Sequence, residues 1–265
     1  MWRMTKAQEI PSVALRGGGS IPLLGFGTWQ IRGQRAYDAV RTALDAGYRH
    51  IDTATMYGNE AEVGRALRDS DLDRRDVFVT TKLPPSSAGQ ERATLTASLR
   101  ALDTDHVDLW LVHWAPVAKQ LVPVWREFLA LQDEGKALAV GVSNYSVDQI
   151  DVLIRATEQA PAVNQIPWAP SLHDAGLLAA SRERGVVVEG YSPLKGTNLA
   201  DPALVEIAAR HGVTPAQVVL RWHIEHEVVV IPKSANPERI AANIDLFGFA
   251  LTDDEIARIN GLAAR

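Results

Sequence analysis

Four residues in this sequence have the types and spacing to do chemistry together: Asp52, Tyr57, Lys82 and His113. Asp52 closes a short apolar stretch within Gly47-Tyr-Arg-His-Ile-Asp-Thr-Ala54, and Tyr57 follows in Tyr57-Gly-Asn-Glu60. Lys82 and His113 close the next two apolar runs, Val77–Lys82 and Val107–His113. A carboxylate at a strand end, five positions before a loop tyrosine, is not what stability alone asks for. The chemistry these groups suit is delivery of a proton to a carbonyl oxygen. A phenol has a free pKa of about 10 and is a poor acid near neutrality. An ammonium within a few ångströms stabilises phenolate and lowers that value. A carboxylate beyond the ammonium would keep it charged, and a neutral imidazole would donate a hydrogen bond to the substrate oxygen. Tyr57 is then the general acid, Lys82 and Asp52 its relay, and His113 the orienting group. Taken singly, each has a plainer explanation. Asp52 can cap a loop, Lys82 can end a solvated strand, His113 can be an interior histidine and Tyr57 can pack in its loop. Asn59 is placed to cap a helix beginning near Glu60.

These residues need strand ends that converge. Eight short apolar runs fit strands: Leu23–Phe26, Arg49–Asp52, Val77–Lys82, Val107–His113, Ala137–Val142, Ala162–Gln165, Val186–Tyr191 and Val228–Pro232. They are apolar on both faces, as in a parallel sheet covered by helices. Helical patterns alternate with them, from Ala36, Val40, Ala43 and Leu44 before Gly47 to Leu251-Thr-Asp-Asp-Glu255, where Thr252 and Glu255 form a capping box. Two helices, Pro202–His211 and Pro215–Ile224, precede the eighth strand. Ahead of the first, Ser12–Leu15 and Ser20–Leu23 flank Arg16-Gly-Gly-Gly19 as a hairpin with a glycine turn. The expectation is an α/β fold of one domain over residues 1–265. It is a (β/α)8 TIM barrel with an N-terminal β-hairpin capping the barrel bottom and a C-terminal extra helix. A doubly wound dinucleotide fold would want Gly-x-Gly-x-x-Gly after its first strand, and neither Gly17–Gly19 nor Gly25-Phe-Gly27 completes it. In such barrels the strand C-termini carry the chemistry. They bring further polar and aromatic candidates at Thr28, Trp29, Trp114, Ser143, Asn144, Gln165, Tyr191, Ser192, Lys233 and Ser234.

Bulk properties narrow the partners. Of 265 residues, 46% are hydrophobic and 22% charged, and a core of that size needs no staples. A formal net charge of −5 argues against nucleic acid or an anionic membrane as the main partner. With no cysteine there is neither a disulfide framework nor a thiolate nucleophile, which fits the cytoplasm. Met1 to Glu9 hold Arg3, Lys6 and Glu9 without an apolar leader segment, so no signal peptide is expected. Apolar runs such as Val228–Ile231 are too short to span a bilayer. No metal is expected: the seven histidines never form His-x-x-x-His or His-Glu-x-x-His, and His223 and His226 lack a ligand run nearby. No Gly-x-Ser-x-Gly elbow occurs either.

The sequence resembles the aldo-keto reductases, and is most similar to bacterial diketogluconate-reductase-like members acting on keto sugar acids and small aldehydes. The likeness runs from Ile21-Pro-Leu-Leu-Gly-Phe-Gly-Thr-Trp29 to Leu251-Thr-Asp-Asp-Glu255. It rests on Gly47–Ala54, Tyr57–Glu60, Val112-His-Trp114, Gly141-Val-Ser-Asn144, and Ile231-Pro-Lys-Ser234 with Arg239. The resemblance implies that Asp52, Tyr57, Lys82 and His113 are the catalytic tetrad and that the cofactor is NADPH/NADP+. It implies that Tyr191 stacks on the nicotinamide and that Ser143, Asn144 and Gln165 bind its carboxamide. Lys233, Ser234 and Arg239 would clasp the adenosine 2′-phosphate, a dianion that a helix N-terminus and cations suit. Asn243 would contact adenine, and Thr28, Ser192 and Leu194 complete the implied set. Trp29, Trp114 and Trp168 are candidates to line the substrate site.

Departures from the family pattern are Ala242 where glutamate is common, Ile166-Pro-Trp-Ala-Pro170 after Gln165, and Trp114-Ala-Pro116. The sequence ends soon after its last helix, so a more open substrate site is expected than in relatives with a long C-terminal tail. The expected activity is NADPH-dependent reduction of a small aldehyde, α-dicarbonyl or keto sugar acid by a monomer. Rivals are an NADP(H)-binding barrel with little turnover and a Schiff-base aldolase using Lys82, although a lysine beside Asp52 stays protonated.

Overall fold

The computed structural model describes residues 10–264. Met1 to Glu9, on which the signal-peptide expectation falls, and Arg265 lie outside the described residues. The apolar runs pair as one parallel sheet of eight strands: β3 (Phe26–Gly27), β4 (His50–Asp52), β5 (Phe78–Leu83), β6 (Val107–Val112), β7 (Ala137–Ser143), β8 (Val163–Pro167), β9 (Val187–Tyr191) and β10 (Val229–Val230), each beside its neighbour in sequence. The sheet closes on itself. Leu24 bridges Val230 in parallel, Gly25 N donates to the Val230 carbonyl at 2.9 Å, and Val230 N donates to the Leu23 carbonyl at 2.8 Å. The seam strands are shorter than the sequence predicts, and the chain is packed tightly at Gly25. A Cβ there would lie 2.5 Å from His50 Nδ1 and 2.9 Å from Ile231 Cγ2.

Helices cover the outer face of the barrel: α1 (Gln34–Ala46), α2 (Glu60–Arg68), α3 (Glu91–Leu102), α4 (Leu121–Asp133), α5 (Val147–Thr157), α6 (Ala175–Glu183), α7 (Pro202–His211), α8 (Pro215–Glu225), α9 (Pro237–Ile244) and α10 (Asp253–Asn260). Each turns an apolar stripe inward. In α1 this is Ala36, Ala39, Val40, Ala43 and Leu44, and the helix stops at Gly47, whose φ of 107° suits glycine. The capping box at α10 forms as expected, with both Thr252 and Glu255 bonds present. Trp110 and Phe128 stack at 3.8 Å in the layer between β6 and α4. The hairpin strands β1 (Ser12–Ala14) and β2 (Ser20–Pro22) pair antiparallel under the barrel. Arg16 in their turn donates to the Arg184 carbonyl at 3.1 Å, close to where β9 begins. Among the described residues no helix is long and apolar enough to cross a membrane.

One expectation fails here. Asn59 sits at the N-cap of α2 but makes no side-chain cap bond. Its amide donates instead to the carbonyls of Thr28 and Ile31 at 3.0 and 2.8 Å, and its oxygen accepts from Thr53 Oγ1 at 2.7 Å. A fully buried amide has more to satisfy than one helix end provides, so it ties three loop segments together.

Candidate active site

At the C-terminal rim, β4 ends on Asp52, β5 carries Lys82, and His113 follows β6 directly. Lys82 is fully buried, and its ammonium donates to Asp52 Oδ1 at 2.7 Å, Asp52 Oδ2 at 2.6 Å and the Thr53 carbonyl at 2.8 Å. Those oxygens occupy the donors that an ammonium has to offer. Burial works to lower the Lys82 pKa, but the Asp52 carboxylate and the Tyr57 oxygen outweigh it and hold the ammonium above its ordinary range. Tyr57 ends a short 3-10 turn, Thr55–Tyr57, which Gly58 closes in the left-handed region with φ 63°. Thr55 Oγ1 fastens that turn to the Lys82 carbonyl at 2.9 Å. Lys82 Nζ lies 5.1 Å from the Tyr57 ring centre.

The net effect on Tyr57 runs opposite to the sequence expectation. Burial raises its pKa more than Lys82 lowers it, and Asp52 adds to the rise, so the phenol keeps its proton. A proton donor needs that state before it reacts. His113 is edge-on to Tyr57 with ring centres 5.8 Å apart and stacks on Trp114 at 4.0 Å. Burial, with the Lys82 charge nearby, lowers the His113 pKa to about 3, so the imidazole is neutral across the physiological range.

These groups open into a cavity of about 470 Å³ that Asp52, Tyr57 and His113 line together with Trp29 and Trp114. Both tryptophans are well exposed, at 48% and 41%. The other wall brings together Ser143, Asn144, Gln165, Tyr191, Ser192, Leu194 and Lys233. Asn144 takes the left-handed conformation (φ 61°), donates to the His113 carbonyl at 3.1 Å and accepts from the Tyr191 hydroxyl at 2.9 Å. Gln165 does more than the sequence reading gave it: its amide donates to Asp52 Oδ2 at 2.8 Å and so braces the ion pair.

Other candidates stand elsewhere. Thr28 is buried away from the cavity wall, its hydroxyl donating to the Asp52 carbonyl at 2.9 Å. Ser234, Arg239 and Asn243 lie off this cavity, Ser234 just before α9 and the other two within it; Asn236 caps that helix by accepting from Arg239 N at 2.9 Å. Trp168 does not line the cavity. It follows β8 directly and is 1% exposed, stacked on Trp222 at 6.4 Å in a second apolar cluster with Leu204 and Val218. Two residues that the sequence reading missed are Glu189 and His50. Each lies two positions before a recognised residue, Tyr191 and Asp52, and strand periodicity puts such pairs on one face.

A model of the aldo/keto reductase family matches residues 23–264, nearly the whole chain. The chain belongs to the aldo-keto reductase family. It is 42% identical over 273 residues to a morphine 6-dehydrogenase of Pseudomonas putida, covering 97% of this chain and 92% of that one. It matches the crystal structure of an aldo/keto reductase from Brucella melitensis with a TM-score of 0.95 and 41% identity, covering 97% of this chain and all of that one. It also matches a Bombyx mori aldo-keto reductase solved with NADP, at a TM-score of 0.91 and 32% identity, covering 97% and 94% of the two chains. As an aldo-keto reductase the protein is an oxidoreductase, and its barrel mouth is the part of the fold with the chemistry to match.

Proposed function

We propose that this aldo-keto reductase uses NADPH to reduce a small aldehyde or ketone to the alcohol, with Tyr57 as the proton donor. The observation that carries the reading is the buried Asp52–Lys82 pair under a protonated Tyr57 and beside a neutral His113, all at one cavity. A carbonyl oxygen seated between the Tyr57 hydroxyl and the His113 ring accepts a hydrogen bond from each, which polarises the carbon. NADPH, when bound, supplies the hydride that the carbon takes up. The oxygen then becomes basic and takes the Tyr57 proton, while Lys82 steadies the phenolate left behind. Solvent returns the proton.

The residues present fit the cofactor. Lys233 and Arg239 make no side-chain hydrogen bond or ion pair among the described residues, so both are free for a phosphate dianion near the start of α9. Ser143, Asn144 and Gln165 offer an amide-rich wall for a carboxamide. Glutamate is absent at Ala242, so Asn243 would meet adenine without it. A Schiff base at Lys82 is disfavoured, because the amine is charged and held by three oxygens.

On the substrate side, Trp29 and Trp114 present exposed apolar surface. Of the cations lining the cavity, Lys233 belongs to the cofactor set and Lys195 stays available to a substrate. Small aldehydes, α-dicarbonyls and keto sugar acids all suit such a site. The continuous sheet supports a one-domain enzyme, and the lack of cysteine fits a reducing compartment such as the cytoplasm; a monomer is the expected form. Replacing Tyr57 by phenylalanine should cut carbonyl reduction by about 10²–10⁴-fold, read as loss of NADPH absorbance. A folded Tyr57→Phe protein that keeps most of its rate overturns the assignment.

A further inference from the structure

Beneath the tetrad lies a second pair of ionisable groups for which the reduction chemistry has no stated use. Glu189 on β9 and His50 on β4 are both fully buried in the barrel interior. Glu189 Oε1 is 3.6 Å from His50 Nε2, and neither Glu189 oxygen has a hydrogen-bond partner among the described residues. This pair adjoins the catalytic layer through known contacts. His50 precedes Asp52 by two positions on the same strand, and its Nε2 is 3.2 Å from Thr80 Oγ1, two positions before Lys82. Glu189 is in register with Gln165, the residue whose amide holds Asp52 Oδ2. From the other side β10 offers only Val229 in register. The titratable groups that act on Glu189 are thus His50 and Asp52 from β4, Lys82 from β5, and Tyr57 above them, with Gln165 as the one polar neighbour on β8.

We propose that Glu189 is a positioning residue whose own charge, felt by Tyr57 across the buried layer it shares with Asp52 and Lys82, sets how firmly Tyr57 holds the proton it donates. The proposal rests on the reading of Tyr57 as the proton donor. Burial, reinforced by the Asp52 carboxylate, raises the Glu189 pKa to about 8, while burial and Lys82 lower His50 to about 3. Near neutrality both are uncharged, and the interior layer holds one anion, Asp52, against one cation, Lys82. Above about pH 8 Glu189 gives its proton to solvent and the layer gains a negative charge. Lys82 is already held charged by Asp52, so what the added anion changes is Tyr57, where it opposes formation of phenolate. Glu189 therefore keeps Tyr57 protonated, and the reductive direction running, to higher pH than the tetrad alone would.

The test is a pH titration of Tyr57 itself. The tyrosinate absorbance difference between the protein and its Tyr57→Phe counterpart isolates that phenol without any cofactor. It is measured in the unaltered background and with Glu189→Gln or Glu189→Thr, which differ in size but share the lack of charge. Both should lower the midpoint by at least about half a unit, a threefold fall in proton affinity. The alkaline limb of kcat/KM for reduction should move down by the same amount. Midpoints that stay put, or that move in opposite directions in the two variants, overturn the proposal. If neither variant folds, infrared titration decides, with Glu60→Gln as the reference because burial raises that carboxyl too: a protonated carboxyl that persists to about pH 8 in both proteins supports the proposal, and none above pH 6 overturns it. Retained reduction in the Tyr57→Phe protein would defeat the proton-donor reading separately, since the absorbance titration does not depend on turnover.

Discussion

Lys82 shows what the site demands of single residues. An ammonium with no exposed surface is tolerated because two Asp52 oxygens and a backbone carbonyl replace its water shell. Removing one member of such a pair leaves the other charge buried and alone, which costs about 3–5 kcal/mol. Lys82→Met should therefore lower the melting temperature and abolish reduction. Adding Asp52→Asn should recover part of the lost stability and none of the activity, as thermal melts and turnover on the two proteins will show. At the cofactor end, Arg239→Ala should weaken NADPH binding by tenfold or more, about 1.4 kcal/mol, with much less effect on NADH. Equal losses in titrations with both would mean that the phosphate lies elsewhere. The residue types and spacing were enough to single out Asp52, Tyr57, Lys82 and His113. The direction of the Tyr57 shift was not legible, because it is the balance of burial against a nearby charge, and burial is not written in a linear sequence.

Among elements, the loop from Thr53 to Asn59 depends on a side chain whose work the sequence misdescribes. A capping role for Asn59 would make aspartate a harmless substitute, since it caps as well. The observed bonds need an amide that donates to Thr28 and Ile31, which a carboxylate cannot do. Asn59→Asp should thus destabilise the protein at least as much as Asn59→Ala, by about 2–4 kcal/mol for two buried carbonyls left unpaired. It should lower kcat as well, because the same loop presents Tyr57. Chemical denaturation of the two variants separates the roles, and a stable Asn59→Asp protein would restore the cap. Where a pattern closes within four residues, as at Thr252 and Glu255, the sequence reading and the structure agree. Asn59 reaches partners 28 and 31 positions away, beyond any local pattern.

For the whole molecule, the barrel interior brings distant strands together, and Glu189 registers the cost. Its folded pKa of about 8 stands above the ordinary value of 4.5, so the folded protein holds this proton where the unfolded chain has released it. The stability it contributes is complete below pH 4.5 and is lost as pH rises to about 8. Glu189→Gln does not titrate, so its melting temperature relative to the unaltered protein should climb between pH 4.5 and 8 and then level off. A constant difference across that range would mean that the carboxyl ionises normally. By itself the sequence determined the eight-fold alternation, the hairpin ahead of it and the catalytic candidates at three successive strand ends, because hydrophobic period and strand-end chemistry are local properties. Only the tertiary structure decided that Trp168 packs outward against Trp222, that Gln165 braces Asp52, and that Glu189 meets His50 under the ion pair. Each of those contacts joins residues tens to more than a hundred positions apart, and only closure of the barrel fixes which of them meet.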